Sequence, residues 1–141
     1  MDWVNKHLQI VPINTFIDPI FPVENAIITH AHADHAKPGH KNVLATKHTI
    51  EIMKIRYGEN CANNFQELSF NSPLNINGVK VTFFPAGHIL GSAQVLLEYQ
   101  KDKINFTGDF KITKDDTCEN FRPVTCDTLV TEATFGLPIF Q

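Results

Sequence analysis

Three histidines and one aspartate fall within six consecutive residues of this 141-residue chain, at His30, His32, Asp34 and His35. Neutral imidazole and carboxylate are the ligands that Zn²⁺ takes in catalytic sites, where a further coordination position stays open for water. In a loop, His30 and His32 can point to the same side and share one ion, whereas Asp34 and His35 can turn toward a second ion. A chance cluster of surface histidines with this spacing is rare, so the sequence predicts a metal site.

Two later segments carry further candidate ligands. His88 follows an apolar segment and lies between Gly87 and Gly91, whose backbone freedom permits a tight loop. Asp109 follows Gly108 directly after another apolar segment. Taken singly, His88 could be a structural histidine and Asp109 a turn aspartate. Because all three candidate segments come after apolar strands, and the ends of neighbouring strands converge at one sheet edge, we predict that they form one site.

The elements that would position these residues are mostly short strands. The apolar run 25–29 is typical of a buried strand and ends directly before the histidine cluster. Residues 46–57 have apolar side chains at helical spacing, with Thr46 or Thr49 as the N-cap and Gly58 at the end. Further strands are predicted at residues 7–12, 15–20, 43–45, 66–70, 74–76, 79–84, 93–100, 103–107 and 128–131.

The composition, with 43% hydrophobic and 19% charged residues, is typical of a globular domain. The net charge of −3 gives no sign of the basic surface that DNA-binding proteins usually have, although bound metal ions would add local positive charge. No apolar run approaches the length of a membrane span, and the polar start is not typical of a secretory signal. We therefore expect a cytoplasmic protein that does not associate with membranes. The three cysteines form no CxxC pair, so we expect reduced thiols.

The order of the motifs resembles the metallo-β-lactamase fold and, within it, the β-CASP nucleases. The chain is most similar to the bacterial ligase-associated DNA exonucleases, and the resemblance covers nearly all of it. The fold that it implies is an α/β four-layer αββα sandwich, of which residues 1–141 would form the N-terminal half, ending before the β-CASP cap. We expect this half alone to be marginally folded and inactive, because it would expose a large apolar surface. The motifs are Asp18 in an early strand, His-x-His-x-Asp-His, Gly-His-x-x-Gly-Ser-Ala, Thr-Gly-Asp-Phe and Thr-Glu-Ala-Thr-Phe-Gly.

The same resemblance implies a zinc cofactor of one or two ions, with manganese as a possible occupant. It assigns the ligands to two positions that share one carboxylate. These are His30, His32 and His88 for the first ion, Asp34 and His35 for the second, and Asp109 as the bridge between them.

Three acidic residues would take part in catalysis. Asp34 would orient the attacking water or accept its proton. Asp18 would orient the histidine loop, since a ligand histidine needs a hydrogen-bond acceptor for its other nitrogen. Glu132 matches the acidic residue that opens the β-CASP region, and it would pair with a histidine beyond Gln141. The alternative interpretations are a turn aspartate before Pro19 and a surface glutamate.

The function that the resemblance implies is zinc-dependent hydrolysis of DNA phosphodiester bonds, by a repair exonuclease with a functional link to a DNA ligase. A β-CASP ribonuclease that processes RNA ends is the first alternative. A small-molecule hydrolase of the thioesterase or lactonase type is the second, and the motif around Glu132 speaks against it. A non-catalytic zinc-stabilised module is more distant, because its metal site would be closed to water.

Overall fold

The computed structural model describes residues 2–32, 35–87, 89–107 and 123–130, and the chain divides into two compact units, Met1–Leu68 and Ser69–Gln141. Within the described residues, each unit contains a five-stranded sheet. No helix in these ranges has the length and apolar character that crossing a bilayer requires.

The sheet of the first unit is mainly parallel, with the strand order β1-β2-β3-β4-β5. Its elements are β1 (Gln9–Ile10), a 3-10 helix (Val11–Ile13), β2 (Thr15–Ile17), β3 (Asn25–Ile27), β4 (His40–Ala45), α1 (Lys47–Tyr57) and β5 (Ala62–Glu67). Only β1 pairs antiparallel, with β2. Because the carboxyl ends of parallel strands meet at one edge of a sheet, the segments that follow β2 and β3 emerge side by side.

The helix α1 begins and ends where the sequence predicts. The Thr46 hydroxyl accepts a hydrogen bond from the backbone N–H of Thr49, which makes Thr46 the N-cap. Gly58 ends the helix with a φ of +96°, a conformation that glycine adopts at little cost. Burial of Ile50 and Met53, at about 1.5–3 kcal/mol for each such side chain, joins the helix to the sheet. Their neighbours in the core are Ala26, Ile28, Ala36, Val43, Ala45, Cys61 and Ala62.

A row of side-chain amides crosses β3, β4 and β5. The Asn64 amide donates to Oδ1 of Asn42, and the Asn42 amide donates to Oδ1 of Asn25, both at 2.9 Å. Asn25 in turn donates to the backbone carbonyl of Asn14, just before β2, at 3.2 Å. The row therefore links three parallel strands through side chains in addition to the backbone hydrogen bonds.

The sheet of the second unit is an antiparallel meander to which one parallel strand is added. Its strands are β6 (Leu74–Ile76), β7 (Val79–Pro85), β8 (Ala93–Tyr99), β9 (Asp102–Phe106) and β10 (Thr128–Val130). Strands β6 to β9 pair in chain order, and β10 runs parallel to β9. In β7, β8 and β9, one face is apolar and buried, with its side chains at alternate positions as a period of two requires, whereas β6 and β10 contain no buried side chain. The buried face contains Val79, Val81, Phe83, Val95, Leu97, Ile104 and Phe106.

Several strand predictions were wrong in their bounds. The strands predicted at 15–20 and 25–29 end earlier, at Ile17 and Ile27, and the strand predicted at 43–45 begins earlier, at His40. The strand predicted at 66–70 is β5, Ala62–Glu67, because β5 is an edge strand whose side chains are mostly polar and exposed. The strand predicted at 7–12 is limited to Gln9–Ile10, because the chain enters a 3-10 helix that contains Pro12. The errors at β1 and β5 arose because the strands were assigned from apolar residues, whereas local backbone geometry ends β1 and the pairing at a sheet edge defines β5.

Candidate metal centre

Asp18 lies directly after β2 and contacts the segment that follows β3. Its φ of +47° is left-handed, a conformation that aspartate tolerates better than most residues. Oδ1 of Asp18 accepts from the backbone N–H of Thr29 at 2.8 Å. Oδ2 lies 2.6 Å from the Thr29 hydroxyl and 2.9 Å from Nδ1 of His35. The Asp18 side chain is only 10% exposed, so water competes little for these three hydrogen bonds.

These contacts determine which nitrogen of His30 carries the proton. The Thr29 hydroxyl has one hydrogen, and it donates that hydrogen to Asp18, because an ionised carboxylate can only accept. The same hydroxyl oxygen lies 2.9 Å from Nδ1 of His30, so it must accept a hydrogen bond there. Nδ1 of His30 is therefore protonated, and Nε2 holds the lone pair that can bind a metal ion.

The same argument applies to His35. Its Nδ1 donates directly to Oδ2 of Asp18, which leaves the lone pair on Nε2. The His35 ring centroid lies 4.1 Å from that of His30, and the His32 ring lies 5.0 Å from His30 in an edge-on arrangement. The structure thus brings the three histidines of the cluster side by side, with two of their tautomers set by Asp18.

The donor chemistry of this group fits a metal ion. Asp18, His30 and His35 each offer a ligand atom, and these atoms lie within 4.8 Å of one another. Proximity alone would admit Asp18 as a ligand, but its oxygens already accept three hydrogen bonds from Thr29 and His35. We therefore interpret Asp18 as the carboxylate that orients the imidazoles, as the sequence predicts, and not as a ligand.

The backbone of the histidine loop is held by contacts on both sides of His32. The His32 carbonyl accepts from the backbone N–H of His35 at 2.9 Å and of Ala36 at 2.8 Å, which returns the chain toward His30. On the other side, Nη1 of Arg56 in α1 donates to the carbonyl of Ala31. Ala31 and Ala36 are fully buried, and Ala36 packs in the core of the first unit.

Sequence reasoning did not single out Thr29 or Arg56. A hydroxyl residue directly before the histidine cluster was a usable signal for Thr29. Nothing in the sequence indicates Arg56, because its contact is with a backbone carbonyl 25 residues away. The remaining predicted site residues lie outside the described residues; they are Asp34, His88, Asp109 and Glu132.

Besides His30, a second histidine of the described residues is buried, at the start of β4. His40 is 1% exposed, and its Nδ1 accepts a hydrogen bond from the backbone N–H of Val23 at 3.1 Å. Burial lowers the pKa of His40 from its ordinary value of 6.5, because a charged imidazole would lose its hydration there. His40 therefore packs as a neutral side chain in the first unit.

The cysteines behave as the sequence predicts where the structure describes them. Cys61 and Cys126 are free thiols, and Cys118 lies outside the described residues. Burial raises the pKa of both described thiols, which disfavours the reactive thiolate.

Known proteins match this chain over different lengths. Over 132 residues, the chain is 30% identical to a protein named "Probable DNA ligase" from Opitutus terrae, a match that covers 93% of this chain and 13% of that protein. Over 75 residues, it is 36% identical to "Endoribonuclease ysh1" from Aspergillus fumigatus, which covers 51% of this chain and 9% of that protein. The chain thus spans only a small part of the length of these relatives.

A crystal structure of a protein of unknown function from Enterococcus faecalis is similar in fold. It has a TM-score of 0.51 and 17% identity, and the likeness covers 67% of this chain and 26% of that one. The beta-lactamase superfamily domain matches residues 2–137, nearly the whole sequence. With its α/β fold and its His/Asp group, this chain belongs to the beta-lactamase superfamily, as a domain of the metallo-β-lactamase type.

Proposed function

We propose that this chain carries the metal centre of a zinc-dependent hydrolase that cleaves DNA phosphodiester bonds, as an exonuclease that acts in repair together with a DNA ligase. The observation that carries the proposal is the match to the Opitutus protein named as a probable DNA ligase. A match over 93% of the chain includes the segments that contain Asp18 and the histidine cluster. A common ancestor of the two metal sites would explain this similarity. The name of the relative supports a functional link between this domain and a DNA ligase.

The proposed metal sites follow the sequence assignment. When bound, zinc supplies the Lewis acidity that lowers the pKa of water to about 7 and neutralises charge on a phosphate. Manganese is an alternative occupant of the same oxygen and nitrogen ligands. In this proposal the first ion is held by His30, His32 and His88, the second by Asp34 and His35, with Asp109 between them.

The chain's own residues divide the remaining tasks. Asp18 holds the ring proton of the neutral imidazoles on Nδ1, directly for His35 and through the Thr29 hydroxyl for His30, so that the lone pair lies on Nε2. Asp34 orients the attacking water or accepts its proton. Glu132 pairs with a histidine later in the protein and assists the departure of the leaving oxygen.

The test uses the intact protein that contains this chain, loaded with zinc or with manganese. Linear DNA labelled at either end should be shortened from its ends, whereas a closed circle of the same sequence should stay intact. Removal of the metal with a chelator should abolish the reaction, and restoring the metal should recover it. Cleavage of closed circles would contradict an exonuclease, and cleavage of RNA alone would contradict the choice of DNA.

Ribonuclease activity is the second candidate. It is favoured by the 36% identity to the Aspergillus protein named as an endoribonuclease, although that match covers only 51% of this chain. RNA of the same sequence and length as the DNA substrate, labelled at the same end, separates the two candidates in one experiment.

A further inference from the structure

The last turn of α1 contacts the backbone that carries the histidines. Arg56 donates from Nη1 to the carbonyl of Ala31, the residue between His30 and His32. A guanidinium is a cationic donor, so this is a charge-assisted hydrogen bond. Such a bond holds a loop more firmly than a bond between neutral groups does.

The carbonyl of Ala31 lies directly before His32, so the contact with Arg56 affects the orientation of His32. The carbonyl of Ala31 and the N–H of His32 belong to the same rigid peptide plane, so fixing one fixes the direction in which the other points. Ala31 is fully buried, so water does not compete with Arg56 for its carbonyl. On the next peptide, the His32 carbonyl accepts two backbone hydrogen bonds, from His35 and Ala36.

Two charged residues therefore fix different parts of the same site. Asp18 fixes the rings of His30 and His35 through their Nδ1 atoms. Arg56 fixes the peptide that leads into His32, whose ring lies 5.0 Å from that of His30.

We propose that Arg56 is a positioning residue of the metal centre, which holds the Ala31–His32 peptide so that the His32 imidazole lies beside His30. The inference rests on the proposed metal-dependent function. It assigns to α1 a role in metal binding in addition to its packing against the sheet.

A purely structural role for Arg56 makes a different prediction. A cation in the last turn of a helix is favourable for the helix dipole, and the Arg56 guanidinium also lies 5.8 Å from the Tyr57 ring. If these were its only contributions, replacing Arg56 would lower the stability of the metal-free protein and leave the geometry of the bound metal unchanged.

The experiment compares Arg56→Met with a matched control in the same turn. Arg56→Met keeps an apolar stem and removes the donor, whereas Arg56→Lys restores a charged donor. Lys54→Met is the control, because the contacts of Lys54 among the described residues are with Glu59 at 3.7 Å and with the Phe65 ring at 5.0 Å. Arg56→Gln is a second neutral variant, for use if Arg56→Met does not fold.

Three quantities are measured on the intact protein. They are zinc affinity by competition with a coloured chelator, the absorption spectrum after substitution with cobalt(II), and the unfolding midpoint without metal. We expect Arg56→Met to weaken zinc binding by about 10- to 100-fold and to change the cobalt spectrum, as loss of an outer hydrogen bond does at other metal sites. Arg56→Lys should recover most of the affinity, and Lys54→Met should match the wild type.

The outcomes separate this inference from the proposed function. Wild-type zinc affinity and an unchanged cobalt spectrum in Arg56→Met would overturn the role of Arg56 and leave the metal-dependent function standing. A wild-type protein that binds no zinc would overturn both. Equal losses of affinity in Arg56→Met and Lys54→Met would also overturn the positioning role, because they would reflect helix charge alone.

Discussion

Oδ2 of Asp18 and Nδ1 of His35 lie 2.9 Å apart, although 17 positions separate them in the sequence. The same carboxylate oxygen accepts from the Thr29 hydroxyl, which is hydrogen-bonded to His30. One carboxylate thus sets the tautomers of two imidazoles, one by direct contact and one through a hydroxyl. The parallel pairing of β2 with β3 makes this possible, because it brings the ends of the two strands to the same edge.

Asp18→Asn should weaken zinc binding by about 10- to 100-fold, and activity should fall with it. An amide has one acceptor oxygen in place of two, so its NH2 group must face either the Thr29 N–H or the Thr29 hydroxyl with His35 Nδ1, and the hydrogen bonds on that side are lost. Chelator competition measures the affinity. Glu51→Gln, a change of the same chemistry on the exposed face of α1, is the control and should bind zinc as the wild type does. Equal affinities in the two variants would contradict the orienting role of Asp18.

Thr29→Val should reduce zinc affinity by up to about tenfold, because it removes the hydroxyl that links Asp18 to His30 while keeping the shape of the side chain. Thr29→Ser keeps the hydroxyl and should stay close to the wild type. The same chelator titration compares the two variants. If serine and valine behaved alike at this buried position, the hydroxyl link would have no part in metal binding.

His32→Ala and Asp109→Ala should each lose bound metal and nuclease activity, because each removes a proposed ligand. Metal content by elemental analysis and cleavage of end-labelled DNA give the two readouts. His48→Ala, at an exposed position on α1, is the control for loss of an imidazole. Full zinc occupancy in both ligand variants would refute the ligand assignment.

The stability of the metal-free protein should fall as the pH drops below about 6.5, and His40 should contribute to this fall. The pKa of His40 is lowered in the folded state by burial, so the unfolded chain binds the proton first. The contribution of His40 is complete above the unfolded pKa and is lost between that value and the lowered folded one. His40→Asn keeps an acceptor for Val23 N–H and cannot become charged.

Urea denaturation near pH 7.5 and near pH 5.5, with chelator present, measures this effect. His40→Asn should lose less stability across this interval than the wild type, and His48→Asn should behave as the wild type. Identical pH dependence in His40→Asn and wild type would show that His40 does not contribute.

The sequence was sufficient to predict those parts of the fold that depend on local residues. The end of α1 at Gly58 and the strand at Leu74–Ile76 were predicted correctly, and the N-cap, for which the sequence offered Thr46 or Thr49, is Thr46; all three are set by short-range chemistry. The bounds of β5 were not, because an edge strand is defined by its pairing partner and not by its own apolar residues.

The candidate site shows the same division. The histidine cluster from His30 to His35 was visible in the sequence, and the structure brings its three imidazole rings close together. The contacts of Arg56 with the Ala31 carbonyl and of Thr29 with Asp18 depend on tertiary structure. The contact of Arg56 is with a backbone carbonyl, which every residue has. No choice of residue type therefore signals this contact in the sequence.

The amide row across Asn25, Asn42 and Asn64 has a consequence for the metal centre. A slip of one residue in any of these strands would turn its asparagine to the opposite face and break the row. The same slip in β3 would shift the histidine cluster by about 3.3 Å along the sheet. Asn25 lies at the start of β3, and Asn42 and Asn64 lie beside it in β4 and β5. By favouring this register, the three amides help to determine where His30 emerges at the other end of β3.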